Sequence, residues 1–132
     1  MAQQLTANQR KLLEGKDFVH LATINRDGTP QVTPVWVETD GDYVIVNTEE
    51  KRLKTRNMKR DPRVTIEVLN PENPYTYMSI RGRVVEITAE GGAEGIDRLS
   101  TKYLGQDKYP FNQPGDVRVI VRIEPLKISG VA

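Results

Sequence analysis

The feature that most constrains this chain is a series of short β-branched runs separated by tight turns. Phe18 to Ile24 is apolar and β-branched, which predicts a strand. Asn25-Arg26-Asp27-Gly28 follows, and its Asp-Gly pair suits the left-handed backbone of a hairpin turn. Gln31 to Glu38 predicts a second strand, Asp40-Gly41-Asp42 a second turn, and Tyr43 to Asn47 a third strand. Connections this short join antiparallel neighbours, so a three-stranded meander is expected.

The same pattern returns later. Arg63 to Leu69 reads as a strand with Val64, Ile66 and Val68 on one face, and Asn70 to Pro74 as a proline-bearing loop. Tyr75 to Thr88 reads as a long strand that Gly82 kinks or bulges. Val117 to Ile128 closes the chain, with Val117, Val119, Val121 and Ile123 alternating. Three helices are expected between strands. Thr6 and Gln9 make a capping box for one that stops at Gly15. Thr48 is positioned to cap a second that ends near Arg60, where Asp61-Pro62 blocks continuation. Glu90 to Tyr103 predicts a third, and Leu104 to Gly115 an irregular loop that is expected to border the ligand pocket, as loops that set specificity do. The sum is one mainly-β domain over residues 1–132, a six-stranded antiparallel β-barrel with short helices.

Composition narrows the chemistry. The chain has no cysteine and one histidine, His20, so thiolate and histidine-rich metal sites are excluded. No apolar run approaches the roughly 20 residues of a membrane helix. Met1 to Gln9 lacks the apolar core of a signal peptide, and a cytoplasmic protein is expected. Charge is uneven: Lys51, Arg52, Lys54, Arg56, Lys59, Arg60 and Arg63 face only Asp61, so residues 51–63 carry +6 in a chain of net charge +1. A local positive field on a mildly acidic body suits an anionic ligand.

On a helix, Lys54 and Asn57 share one face and Arg52 and Arg56 another. Arginine offers a planar fork to phosphate oxygens, lysine a mobile charge and asparagine a neutral donor. Glu49 and Glu50 would occupy the first turn of a helix capped by Thr48 and repel a phosphate there. The phosphate is therefore expected near Arg52, Lys54 and Asn57, with both glutamates turned to solvent. A solvated helix face is the alternative. A nucleic-acid surface would call for a broader basic area and exposed aromatics.

The order of these pieces resembles a known family. It runs Val19 to Ile24, Asp27-Gly28, Pro30 to Trp36, Val44 to Thr48, the Arg52-Leu53-Lys54-Thr55-Arg56-Asn57 run and the Asp61-Pro62-Arg63 exit. It is similar to the pyridoxamine 5′-phosphate oxidase-like split-barrel flavoproteins, and within them to the actinobacterial branch that uses the deazaflavin coenzyme F420. The resemblance covers nearly the whole chain. It implies a homodimer with two cofactor sites at the subunit interface and Arg52, Lys54 and Asn57 on the cofactor phosphate. It also implies Gln31, Thr33 and Pro34 beside the ring system and Val46, Asn47 and Thr48 at the pocket edge. Tyr75 and Tyr77 would reach the site from the second subunit.

The residues themselves are compatible with that implication. Along Tyr75 to Arg83, Met78 and Ile80 suit a core, which leaves Tyr75, Tyr77, Ser79, Arg81 and Arg83 outside, as on a partner surface. Trp36 reads either as a core or interface tryptophan or as a pocket wall. His20, in an apolar strand, reads as a satisfied structural histidine. No nucleophile–base pair stands out, no catalytic acid is nominated and Tyr77 is only a guess for one, and metal is expected to play no part.

The function implied is hydride transfer from coenzyme F420 to an unsaturated or quinone-like small molecule. An FMN-binding oxidoreductase and a non-enzymatic cofactor-binding module are the alternatives. The longer anionic tail of F420 would engage further cations, for which Arg56, Lys59, Arg60, Arg81 and Arg83 are candidates.

Overall fold

Two strands adjacent in sequence lie at opposite edges of one sheet, and that fact shapes the molecule. The computed structural model describes residues 3–130, so residues 1–2 and 131–132 of the expected domain lie outside it. The elements are α1 (Ala7–Glu14), β1 (Val19–Ile24), β2 (Pro30–Val35), β3 (Val37–Asp40) and β4 (Tyr43–Glu49). They continue with α2 (Leu53–Arg60), β5 (Arg63–Asn70), β6 (Asn73–Thr88), α3 (Gly92–Leu104) and β7 (Arg118–Gly130). The sheet order is β2-β1-β5-β6-β7-β4-β3, with every pairing antiparallel.

The expected second strand is thus two strands, and among the described residues the expected six are seven. The meander is not formed: β2 pairs with β1, while β3 pairs with β4 on the far side. Trp36 alone links the two edges. A one-residue link cannot span a flat seven-stranded sheet, whose neighbours stand about 4.8 Å apart, so the sheet must curl until its edges meet.

Alternation fixes which side faces in. Val19 and Leu21 of β1, Val64, Ile66 and Val68 of β5, Met78 and Ile80 of β6, and Val121 and Ile123 of β7 form one buried cluster. Each such side chain contributes about 1.5–3 kcal/mol of transfer free energy. Gly82 sits at a register shift in β6, as the sequence suggests. A Cβ there would lie 2.7 Å from Ile123 Cγ2 and 3.0 Å from the Glu124 carbonyl oxygen, so only glycine lets β6 and β7 approach.

The helices cover different parts of the barrel. The Thr6–Gln9 capping box is formed, with Gln9 N–H donating to Thr6 Oγ1 at 3.2 Å and Thr6 N–H to Gln9 Oε1 at 2.9 Å. Helix α2 packs against β1, and α3 against β7 and β4. The outer face of β1, β2 and β5 carries no helix; His20, Ala22, Val32, Thr65 and Glu67 line a shallow hollow there. His20 is not satisfied as expected: its Nδ1 has no hydrogen-bond partner and lies 3.8 Å from Glu67 Oε1. No helix among the described residues is long and apolar enough to cross a membrane.

Candidate functional site

Strand β4 runs two residues beyond its predicted end, and this moves the start of α2. Thr48 is a buried strand residue, and the N-cap of α2 is Arg52, whose side chain makes no capping bond. Glu49 is also in the strand rather than turned to solvent. Its carboxylate accepts from Lys51 N–H at 2.7 Å and Val117 N–H at 2.9 Å. Those two bonds, that from Val117 first, hold its pKa below the ordinary glutamate value. Glu50 alone of the pair is exposed. The first turn of α2 therefore contains no acid, and the repulsion expected there is absent.

A cleft of about 270 Å³ opens beside this turn. Its floor is Asn47, Thr48 and Glu49 of β4; Arg52 and Lys54 flank it at the start of α2. Arg118 enters from β7, and Pro34, Val35 and Trp36 from the β2–β3 corner. Tyr109, from the loop after α3, completes an aromatic wall. Trp36 stacks on Tyr103, centroids 5.1 Å apart at 6°, and meets Tyr109 edge-on at 5.8 Å and 88°. That loop is tied to α3 by Asp97, which accepts from Tyr109 N–H at 2.8 Å.

Three cations, Arg52, Lys54 and Arg118, meet one carboxylate, Glu49, in the lining of the cleft. Among the described residues, no carboxylate forms an ion pair with Arg52, Lys54 or Arg118. Burial pushes the Lys54 ammonium below its ordinary value, and the charges of Arg52 and Arg118 push the same way. Burial likewise lowers Arg118; Tyr109 opposes the shift, Arg52 adds to it, and Asp116 and Glu49 oppose it. Both shifts come first from burying a cation, a cost that an anionic ligand would offset.

The family model of pyridoxamine 5′-phosphate oxidase matches residues 5–132. The chain belongs to the pyridoxamine 5′-phosphate oxidase family. Among similar solved structures is an F420 reductase, 35% identical, with a TM-score of 0.82 over 95% of this chain and 98% of that one. A conserved hypothetical protein of Mycobacterium tuberculosis is 25% identical, with a TM-score of 0.72 over 96% of this chain and 84% of the other. HupZ of Group A Streptococcus shares the fold at 18% identity, with a TM-score of 0.71 over 97% and 98% of the two chains. The architecture is the family's split barrel.

The residues that the family resemblance nominates do not all converge. Pro34, Asn47, Thr48, Arg52 and Lys54 line the cleft. Val46 is fully buried in the core cluster. Gln31 and Thr33 point inward from β2; Thr23 Oγ1 lies 3.3 Å from Gln31 Oε1, and the buried Thr33 hydroxyl has no partner. Asn57 faces away from the cleft. Its amide nitrogen donates to Thr23 Oγ1 at 3.1 Å and Asn25 Oδ1 at 2.9 Å, and its oxygen accepts from Arg60 Nη2 at 2.9 Å. Both amide hydrogens are used here, and through them Asn57 anchors α2 to β1. Tyr75 and Tyr77 stand exposed on β6, as the alternation predicted.

Tyr109 lies in the Leu104 to Gly115 loop expected to border the pocket, whereas Arg118 escaped the sequence reading. Arg118 lies far along the chain from the basic run, within a strand whose alternation drew attention to its valines. Its one sequence signal is being a cation among apolar neighbours at the start of that strand.

Proposed function

We propose that this protein is an oxidoreductase that binds coenzyme F420 in the cationic cleft and passes a hydride to an unsaturated or quinone-like small molecule. The observation that carries the reading is the cluster of Arg52, Lys54 and Arg118, none of them in an ion pair among the described residues, set beside the Trp36–Tyr109 wall. Arg52 and Lys54 would hold the anionic part of the cofactor. Thr33, whose buried hydroxyl lacks a partner, and Gln31 and Pro34 would border the ring system. The bound deazaflavin supplies two-electron hydride chemistry. The chain's own work is to grip, orient and exclude water; no side chain is assigned as catalytic acid. The similarity to an F420 reductase favours F420 over FMN, and family membership supports a flavin-type cofactor of either kind.

A homodimer belongs to the same reading. The uncovered outer face exposes Val32 by 59%, Tyr75 by 86% and Tyr77 and Leu69 by 40% each. Apolar exposure of this kind on a sheet without a helix suits a second copy of the chain. Tyr75 and Tyr77 would then reach the partner's cleft.

Titration of the purified protein with F420 and with FMN tests the cofactor. F420 is expected to bind more tightly; tight FMN binding with none for F420 would overturn that preference. Sedimentation velocity tests the assembly, with twice the chain mass expected and Val32→Asp expected to give the monomer.

A further inference from the structure

We infer that Arg118 is a third cation of the anion grip and that, through Tyr109, it ties ligand binding to the position of the aromatic wall. The inference rests on the reading that the cleft takes an anionic cofactor.

Arg118 is held at its inner end and free at its outer end. Its Nε donates to Asn47 Oδ1 at 2.9 Å, and Asn47 Nδ2 donates in turn to the Gly92 carbonyl oxygen at 2.8 Å. Asn47 thus spends its amide oxygen on Arg118 and acts as a positioning residue. The start of α3 is pressed against the same point: a Cβ at Gly92 would collide with the carbonyl oxygen of Arg118 itself. The guanidinium carbon lies 5.2 Å from the Tyr109 ring centroid, within range of a cation–π contact. Among the described residues, the terminal nitrogens of Arg118 have no protein partner. A half-buried guanidinium with its fork unengaged is costly to keep and well placed to meet an oxyanion.

The contacts continue past Tyr109. Its ring meets Trp36 edge-on, and Trp36 stacks on Tyr103 of α3. An anion that draws the Arg118 fork toward Arg52 and Lys54 changes the cation beneath Tyr109 and so the packing on Trp36. Trp36 is the chain's single tryptophan, which makes its emission a direct readout of that wall.

Two titrations on the full chain test this. Calorimetry with whichever cofactor the wild type binds should give at least tenfold weaker affinity for Arg118→Gln and partial recovery for Arg118→Lys, which keeps the charge but not the fork. Inorganic pyrophosphate, which does not absorb, should shift Trp36 emission saturably in the wild type and not in Arg118→Gln. Tyr109→Leu should still bind pyrophosphate by calorimetry yet lose the emission shift, separating the grip from the coupling; thermal unfolding checks that each variant is folded. Wild-type affinity in Arg118→Gln, or an unchanged emission shift in Tyr109→Leu, overturns the inference. If the wild type binds neither cofactor but pyrophosphate still moves Trp36 through Arg118, the proposed function fails and this inference stands. If it binds no pyrophosphate either, both fail.

Discussion

The two sides of α2 carry similar residues and do opposite work. On the cleft side, Arg52 and Lys54 have no carboxylate partner and stand with Arg118. On the far side, Arg60 donates to the Ile24 carbonyl oxygen at 2.6 Å and to Asn57 Oδ1 at 2.9 Å, and Asn57 ties the helix to β1. Further along, Lys59 lies 3.9 Å from Glu50 in an exposed pair. Residue type does not distinguish the cations proposed to bind from those that hold the fold; the count of partners does. A cation with its bonds already made gains little from a phosphate, whereas an unpaired one in a partly buried cleft gains back what its desolvation cost.

That contrast breaks first, if it breaks, at Lys54. Lys54→Met should weaken cofactor binding by about 1.5–3 kcal/mol, roughly 10- to 100-fold, the value of a charge-assisted hydrogen bond. Calorimetry reads the loss, and the melting temperature should not fall, because an unpaired half-buried charge is removed. Asn57→Ala should show the reverse. Thr23, Asn25 and Arg60 lose their partner, and stability should drop by about 1–3 kcal/mol in denaturant unfolding, with cofactor affinity nearly unchanged. A large loss of affinity at unchanged stability would return Asn57 to the phosphate grip.

A change of pH sharpens the comparison without mutation. The folded pKa of Lys54 is lowered, so between that value and the ordinary lysine value of about 10.4 the unfolded chain binds more protons than the folded one. Stability from this group therefore rises with pH across that window, while anion affinity falls as the charge is lost. Lys102, lowered mainly by burial, adds stability of the same sign, so the difference between wild type and Lys54→Met isolates Lys54. The smallest effect is expected at Lys59: Lys59→Met should change affinity by threefold or less and stability by under about 0.5 kcal/mol, as for other exposed pairs. Losses equal to those of Lys54→Met would mean a diffuse field in place of a defined grip.

What the sequence makes legible is what short-range chemistry decides. The Thr6–Gln9 cap, the Asp27-Gly28 turn, the Gly82 irregularity and the inside–outside alternation of β5 and β6 each depend on neighbours along the chain or one strand away. The break at Trp36 does not. Val35-Trp36-Val37 reads as unbroken strand, because the cause of the break is closure of the whole sheet rather than anything local. Thr48 misled for a related reason: a threonine before a charged run is a good helix cap, but pairing with Val119 of β7 keeps it in the strand. The lining of the cleft was legible where one contiguous segment supplies it, at Arg52 and Lys54, and in the loop that carries Tyr109. It was not legible at Arg118, which arrives from a distant strand.

The one-residue link at Trp36 gives the seam of the barrel and the wall of the cleft a common fate. Because the same residue joins the two sheet edges and stacks on Tyr103, the edges cannot part without dissolving the aromatic wall. Amide hydrogen exchange in β2 and β3 should accordingly proceed as one cooperative unit, and a ligand in the cleft should slow both strands together although few of their residues touch it. The binding site and the closure of the fold then share a single opening free energy.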